Sequence, residues 1–299
     1  MVELVVIILK YEGLGPSYFY SHKLNVFRTK VLVDIYAIKN YTITNTKGER
    51  IMNQRHTKLI EIVSKHAKIE VNELSRLLGI SRVTIRKDLN YLSEKGILRR
   101  ERGYALLKSK DDINYHMAFH YEEKQKIAKA AAELVEDGET IIVESGSMCA
   151  IFVEYLISIR RDITVITNSS YIANFIKDDP NVEIILLGGN YQKHTQAMVG
   201  PMTKECVKNF HVDKIFVGTD GFCKESGFTG VDLIRCDTVR ALTSCANHTY
   251  ILTEAAKLEH ASAIPFLQIE DVYQLITDKE ILPEIQLFLE SKQVKLQLV

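Results

Sequence analysis

The segment 79–93, GISRVTIRKDLNYLS, constrains this chain more than any other stretch of it. Gly79 closes one helix, Ser81 suits the N-cap of the next, and Ile85, Leu89 and Leu92 recur at i, i+4, i+7 as one buried stripe. At about 100° per residue, Val83, Arg86, Lys87 and Asn90 fall on or near the opposite face, open to solvent or to a DNA groove. A charged helix face taken alone is usually only a solvated face. The flanking sequence makes this one more specific.

Upstream, residues 57–66 carry apolar Leu59, Ile60, Ile62 and Val63, with Thr57 placed as a cap. Val71, Leu74, Leu77 and Leu78 form a second short amphipathic helix, entered through Asn72 and stopped by Gly79. Two short helices, a tight glycine turn and a basic third helix make a helix-turn-helix. Gly96 is expected to end the third helix, and residues 97–107 read as two short strands around a basic turn. Such a wing lays arginines along phosphates or into the minor groove. The candidate DNA contacts are Ser81, Arg82, Val83, Thr84, Arg86, Lys87 and Asn90, with Arg99, Arg100 and Arg102 from the wing.

Charge follows the same division. The whole chain is formally neutral, yet residues 52–110 hold fourteen Lys or Arg against six Asp or Glu. Residues 111–299 hold seventeen against twenty-eight. A basic module of that size suits phosphate contacts and salt-dependent binding.

A chain of 299 residues with 46% hydrophobic content can build more than one domain core. No apolar run approaches the eighteen or so residues of a membrane span, so no membrane partner is expected. Five scattered cysteines without a CxxC pair fit a reducing cytoplasm and argue against a disulfide framework or a structural zinc site. The nine histidines show no ligand spacing, so neither a metal nor a cofactor is implied. Residues 1–51 lack a clear amphipathic period, and Lys47-Gly48-Glu49-Arg50 can be encoded by a purine-rich ribosome-binding sequence. Met52 is therefore the expected native start, with 1–51 as an unassigned extension, 52–110 as a separately folding DNA-binding domain and 111–299 as a second domain.

A linking helix is expected over 112–136. Short apolar runs then alternate with helix-length segments: 140–143, 163–167, 182–187, 214–218, 250–253 and 273–277 as strands, with 149–159, 171–177 and 236–246 among the helices. The fold class is α/β, with a mostly parallel, Rossmann-like sheet covered on both faces. Ligands of such sheets bind at the carboxyl ends of the strands. The first such end is Glu144-Ser145-Gly146-Ser147, where hydroxyls and a glycine before a helix N-terminus can cradle a phosphate, although an ordinary capped turn reads the same way. The other strand ends add Asn168, Gly188 with Gly189, Asp220 and Lys257. Ser145, Gly146, Ser147, Asn168, Gly188, Gly189, Asp220 and Lys257 are the candidate ligand set. Cys149 is read as a small residue packing the helix start, rather than as a reactive thiol.

From about Met52 to its end the chain resembles the DeoR family of bacterial transcriptional repressors. The resemblance is carried by Val71–Leu92 (VNELSRLLGISRVTIRKDLNYL) and, in order, ESGSMC at 144–149, VITNS at 165–169, LLGG at 186–189, GTDG at 218–221 and EAAK at 254–257. It implies a winged helix-turn-helix before a sensor domain related to ribose-5-phosphate isomerase. It also implies a phosphorylated sugar effector, a repressor of carbohydrate-use genes and Ser145-Gly146-Ser147 as the phosphate loop. Glu144 stands where the family commonly has Asp, Ser147 where it has Thr, and Ala255 and Ala256 where hydroxylated residues are common. The wing has Gly103-Tyr104-Ala105 in place of Gly-Gly-Ala. The alternative is a sugar-phosphate isomerase or deaminase with a DNA-binding appendage, for which Asp220 and Lys257 are the acid/base candidates. The expected partners are an operator duplex, the effector and a second copy of the chain.

Overall fold

The apolar spacing of Leu59, Ile60 and Val63 turns one side of helix α1 (Gln54–His66) into the core of a small three-helix module, and a computed structural model shows how the rest is arranged. It describes residues 54–94, 97–106, 113–118 and 120–299. The 1–51 extension, the Met52 start, Gly96 and Leu107 lie outside the described residues. Strand β1 (Lys68–Glu70) follows α1, then α2 (Val71–Leu78) and α3 (Arg82–Glu94). Gly79 ends α2 at φ 65, and its N–H donates to the Ser75 carbonyl, a left-handed cap that favours glycine. Ser81 caps α3, its hydroxyl accepting the Thr84 N–H at 3.2 Å. Thr57 and Asn72 are not caps, because α1 is already under way at Gln54 and α2 begins at Val71 behind an extended Glu70.

The wing is β2 (Arg99–Glu101) and β3 (Tyr104–Leu106), and β1 adds a third antiparallel strand in the order β1-β3-β2. The Gly103 carbonyl at the wing tip accepts the Val71 N–H at 2.8 Å, which fixes the wing to the start of α2. The expected single linking helix is two: α4 (Ile113–Ala118) and α5 (Tyr121–Ala132). His120 separates them at φ 50, a left-handed conformation that no helix interior holds.

Seven parallel strands then form the main sheet in the order β15-β14-β12-β9-β4-β5-β6. The chain enters centrally at β4 (Thr140–Val143), crosses through α6 (Ser147–Ile159) to β5 (Ile163–Thr167), and through α7 (Ser170–Ile176) to β6 (Val182–Leu186). A hairpin, β7 (Asn190–Gln192) and β8 (Ala197–Val199), and helix α8 (Pro201–Val207) bring it back to β9 (Val212–Gly218) on the other side of β4. After β10 (Gly221–Cys223) and β11 (Gly227–Gly230) come α9 (Leu233–Thr243), β12 (Ala246–Leu252) and α10 (Ala255–Leu258). Strand β13 (Ile264–Leu267) joins β10 and β11 in a small antiparallel sheet. β14 (Gln274–Thr277), α11 (Pro283–Ser291) and β15 (Lys295–Leu298) complete the main sheet. Strand order therefore reverses between β4 and β9, and a crevice opens at such a switch point.

Alternate residues of the strands feed two cores. Ile142, Ile166 and Val217 join the cluster under α9 and α11, while Ile141, Val143 and Phe216 join the cluster under α6. The second cluster does not stop at the sensor. It runs through Tyr121 and Met117 into Leu59, Ile60, Leu74, Ile85 and Leu89 of the winged helix. The apolar core is thus continuous across the boundary expected between the two domains, and residues 52–299 form one compact unit. Among the described residues no helix is long and apolar enough to cross a membrane.

Candidate functional site

Two surfaces carry the polar chemistry. On α3, the stripe Ile85, Leu89 and Leu92 is buried, and Ser81, Arg82, Val83, Arg86, Lys87 and Asn90 are exposed, with Thr84 half-buried. Val83 is 63% exposed on that polar face, where an apolar side chain gains nothing from water. Arg100 of the wing donates to the Asn90 side-chain carbonyl at 2.6 Å, so wing and helix present one continuous basic edge. Arg99 pairs with Glu101, and Arg102 sits exposed at the wing tip beside Gly103. All ten sequence candidates for DNA contact therefore lie on α3, at its N-cap or in the wing. Arg86→Ala is expected to weaken operator binding by about 1–3 kcal/mol with folding intact, and Arg102→Ala to reduce the salt dependence by about one phosphate contact. Operator titrations at several salt concentrations check this. Wild-type behaviour in both variants would remove the assignment of this face.

The buried side of α3 holds a residue the sequence reading passed over. Asp88 is 2% exposed and accepts from Arg55 Nε at 2.6 Å and Nη2 at 2.9 Å, with His56 Nε2 at 3.3 Å. His56 also stacks on Tyr91, with ring centroids 4.8 Å apart. Burial pushes the Asp88 carboxyl up, but His56 and Arg55 outweigh it and hold it below its ordinary value.

The second surface is a cavity of about 320 Å³ at the switch point, toward the small end of ligand-sized pockets. The end of β4 supplies Glu144, Ser145, Gly146 and Ser147, and the end of β9 supplies Gly218, Thr219 and Asp220. Lys257 of α10 and Arg235 of α9 reach in from neighbouring elements. Gly146 is the N-cap of α6, so the first N–H groups of that helix have no intrahelical acceptor and face the cavity rim. The loop already engages one anion of its own. Glu144 Oε2 accepts the Gly146 N–H at 2.7 Å, and Oε1 accepts the Ser145 hydroxyl at 3.0 Å. The donors left for a ligand are the Ser147 hydroxyl and the first-turn N–H groups of α6. Across the cavity Asp220 accepts from Arg235 Nη2 at 2.6 Å and from the Val231 N–H at 3.3 Å. Lys257 donates to the Thr219 carbonyl at 3.1 Å.

Three sequence candidates do not line this cavity. Asn168 is fully buried and braces the loop from behind, donating to the Met198 carbonyl at 3.0 Å and toward Ser145 Oγ at 3.5 Å. The Gly188 carbonyl accepts the Thr203 hydroxyl at 2.8 Å. Gly189, at φ 157, packs so closely on Thr203 that a Cβ there would lie 2.0 Å from its hydroxyl. The tight packing belongs to Gly189 alone, since a Cβ at Gly188 would meet nothing within 4 Å.

Among the lining residues not anticipated are Arg235 and Thr195, and Ile113 and His116 from α4. Behind Lys257 lies a buried ion pair. Lys124 of α5 is 1% exposed, lies 3.2 Å from Glu254 Oε1, and donates to the His116 carbonyl. Burial lowers the Lys124 pKa to about 8 despite Glu254. Burial would raise the Glu254 carboxyl, but Lys124 and then Lys257 bring it down to about 2.

Cys149 is fully buried, its thiol 3.5 Å from the Phe216 carbonyl, and burial followed by the Glu144 charge pushes its pKa well up. This suits the packing role. Iodoacetamide is expected to leave it unmodified in the native protein; rapid labelling would reinstate a reactive thiol. Among the described residues no three His, Cys, Asp or Glu side chains gather to hold a metal ion.

Comparison with known proteins places the chain in a family context. Residues 55–111 match the family described as DeoR-like helix-turn-helix domain, and residues 119–279 match the DeoR C terminal sensor domain. The HTH-type transcriptional regulator GolR of Listeria innocua serovar 6a is 34% identical over 232 residues, covering 76% of this chain and 91% of that protein. The HTH-type transcriptional regulator UlaR of Shigella sonnei is 28% identical over 253 residues, covering 81% and 97%. Among solved structures, ribose 5-phosphate isomerase A of Methanocaldococcus jannaschii aligns at a TM-score of 0.34 and 19% identity, over 46% of this chain and 54% of that one.

Proposed function

Since the chain belongs to the DeoR family of transcriptional regulators, we propose that it is a cytoplasmic repressor of carbohydrate-use genes, released from its operator by a phosphorylated sugar held between β4 and β9. The observation that carries this reading is the cavity wall. Ile113 and His116 belong to α4, the short helix between the wing and the sensor sheet, so a ligand in the cavity touches the chain that leads to the DNA-reading face. Chemically the cavity suits a small polyol anion. Lys257, Ser147 and the N-terminus of α6 favour a phosphate, while Glu144 and Asp220 offer acceptors to sugar hydroxyls. Two copies of the chain act together, as paired half-sites require of a helix-turn-helix.

An isomerase or deaminase would need Asp220 and Lys257 free to move protons. Asp220 is engaged by Arg235, and Lys257 by the Thr219 carbonyl, which favours the regulatory reading. The domain division 52–110 and 111–299 follows the same reading, with α4 and α5 as the sensor's first elements. A thermal-shift panel of ribose 5-phosphate, glucosamine 6-phosphate, fructose 1-phosphate and fructose 6-phosphate tests the ligand class. At least one is expected to raise the melting temperature and to release operator DNA. Turnover of ribose 5-phosphate or glucosamine 6-phosphate well above buffer would favour the enzyme instead.

A further inference from the structure

We propose that Lys124 is the residue through which the sensor cavity controls the DNA-binding module: it bridges Glu254, beside the cavity lysine, to the backbone of α4. The chain of contacts is continuous. Lys257 lines the cavity and lies 3.7 Å from Glu254 Oε2, which has no hydrogen-bond donor among the described residues. Glu254 Oε1 is 3.2 Å from Lys124 Nζ. The same ammonium donates to the His116 carbonyl in α4. At its other end α4 is held by the Ile113 N–H, which donates to the His194 carbonyl in the β7–β8 turn at 3.2 Å. Between those two ties α4 packs on α1 of the winged helix and on α6 of the sensor.

This arrangement is a poor choice for stability alone. A buried pair such as Lys124–Glu254 contributes little over apolar side chains of the same size. It is a good choice for a switch, because one ammonium divides its hydrogen bonds between two acceptors. Glu254 is shared by Lys257 and Lys124. An anion in the cavity draws Lys257 toward itself, and Glu254 then takes a larger share of Lys124. The His116 carbonyl loses that share, and α4 is freed at the end next to His120, where the backbone already turns out of the helix. Because α4 and α1 pack together, the consequence reaches the orientation of the winged helix.

The inference rests on the proposed reading of the cavity as the effector site, yet it can be tested with no effector present. Neutralising Lys257 imitates its withdrawal by an anion. Lys257→Met is expected to weaken operator binding by about five-fold or more, the lower end of usual coupling between sites. The same substitution is then made in a Lys124→Met, Glu254→Met background, which removes both buried charges and keeps the volume, so that folding survives. There Lys257→Met is expected to change operator affinity by less than about two-fold. Equal fold-changes in the two backgrounds, or no change in either, would overturn the role of Lys124. Melting temperatures of all four proteins separate a coupling effect from simple unfolding. Failure of the ligand reading would show instead in the thermal-shift panel, where no sugar phosphate would stabilise the wild-type chain.

Discussion

Replacing Asp88 with Ala is expected to abolish operator binding, although its side chain faces away from the exposed side of α3 proposed to read DNA. The substitution takes the carboxylate from Arg55 and His56 and unties α1 from α3. Breaking a buried charged pair by removing one partner costs about 3–5 kcal/mol; with Arg55 a quarter exposed, the lower end applies. For a body of this size that is a fall of very roughly 6–12 °C in melting temperature. Asp88→Asn, which keeps an acceptor, is expected to recover part of it. The pH dependence has a defined sign. The folded-state pKa of Asp88 is lowered from 3.8, so its contribution is present above about pH 4 and is lost as pH falls toward and through the lowered value. Melting temperatures and operator titrations of both variants decide the matter. An Ala variant that melts and binds like wild type would show that the cluster does not hold the recognition helix.

Gly146→Val should produce the largest change in ligand response. At φ −67 the backbone of Gly146 accepts any residue, so the obstacle is space rather than strain. A Cβ there would lie 2.8 Å from Glu144 Oε2, the oxygen that accepts the Gly146 N–H. The carboxylate has to leave its seat and crowds the donors at the start of α6. Loss of one or two charge-assisted hydrogen bonds, about 1.5–3 kcal/mol each, raises a ligand's Kd by roughly ten-fold to a hundred-fold or beyond. The expected protein binds operator within about two-fold of wild type but shows no thermal shift with sugar phosphate and is not released by it. Unchanged release would place the anion site away from this loop.

Much of this was legible because local signals agreed. The stripe Ile85, Leu89, Leu92, the left-handed Gly79 and the Ser81 cap each have a local cause, and all three are found. Strand ends were legible because apolar runs stop at glycine and hydroxyl clusters, which placed Ser145, Gly146, Ser147, Asp220 and Lys257 at one cavity. What was missed depends on distant partners. Asp88 looks like any helix-surface acid until Arg55 and His56 are brought against it from thirty-three and thirty-two residues away. Lys124 reads as one charge among many on α5, and only Glu254, far along the chain, explains its burial. The break at His120 has neither glycine nor proline to announce it, and β1 is too short at three residues to show a period. Gly188 and Gly189 lie off the cavity, and at Gly189 close packing on Thr203 asks for the same small residue that ligand contact would.

The apolar cluster that runs unbroken from Leu59 to Ile276 has a consequence for the lifetime of the protein in its cell. Opening the winged helix would bare the sensor residues packed against it, and a molecule that binds the native state opposes such opening. A metabolite seated at the sheet would therefore protect the DNA-reading helices from proteolysis even while it loosens their grip on the operator. Repressor without sugar or operator would be the form most exposed to turnover, so the number of copies, and not only their occupancy of DNA, would follow the supply of sugar.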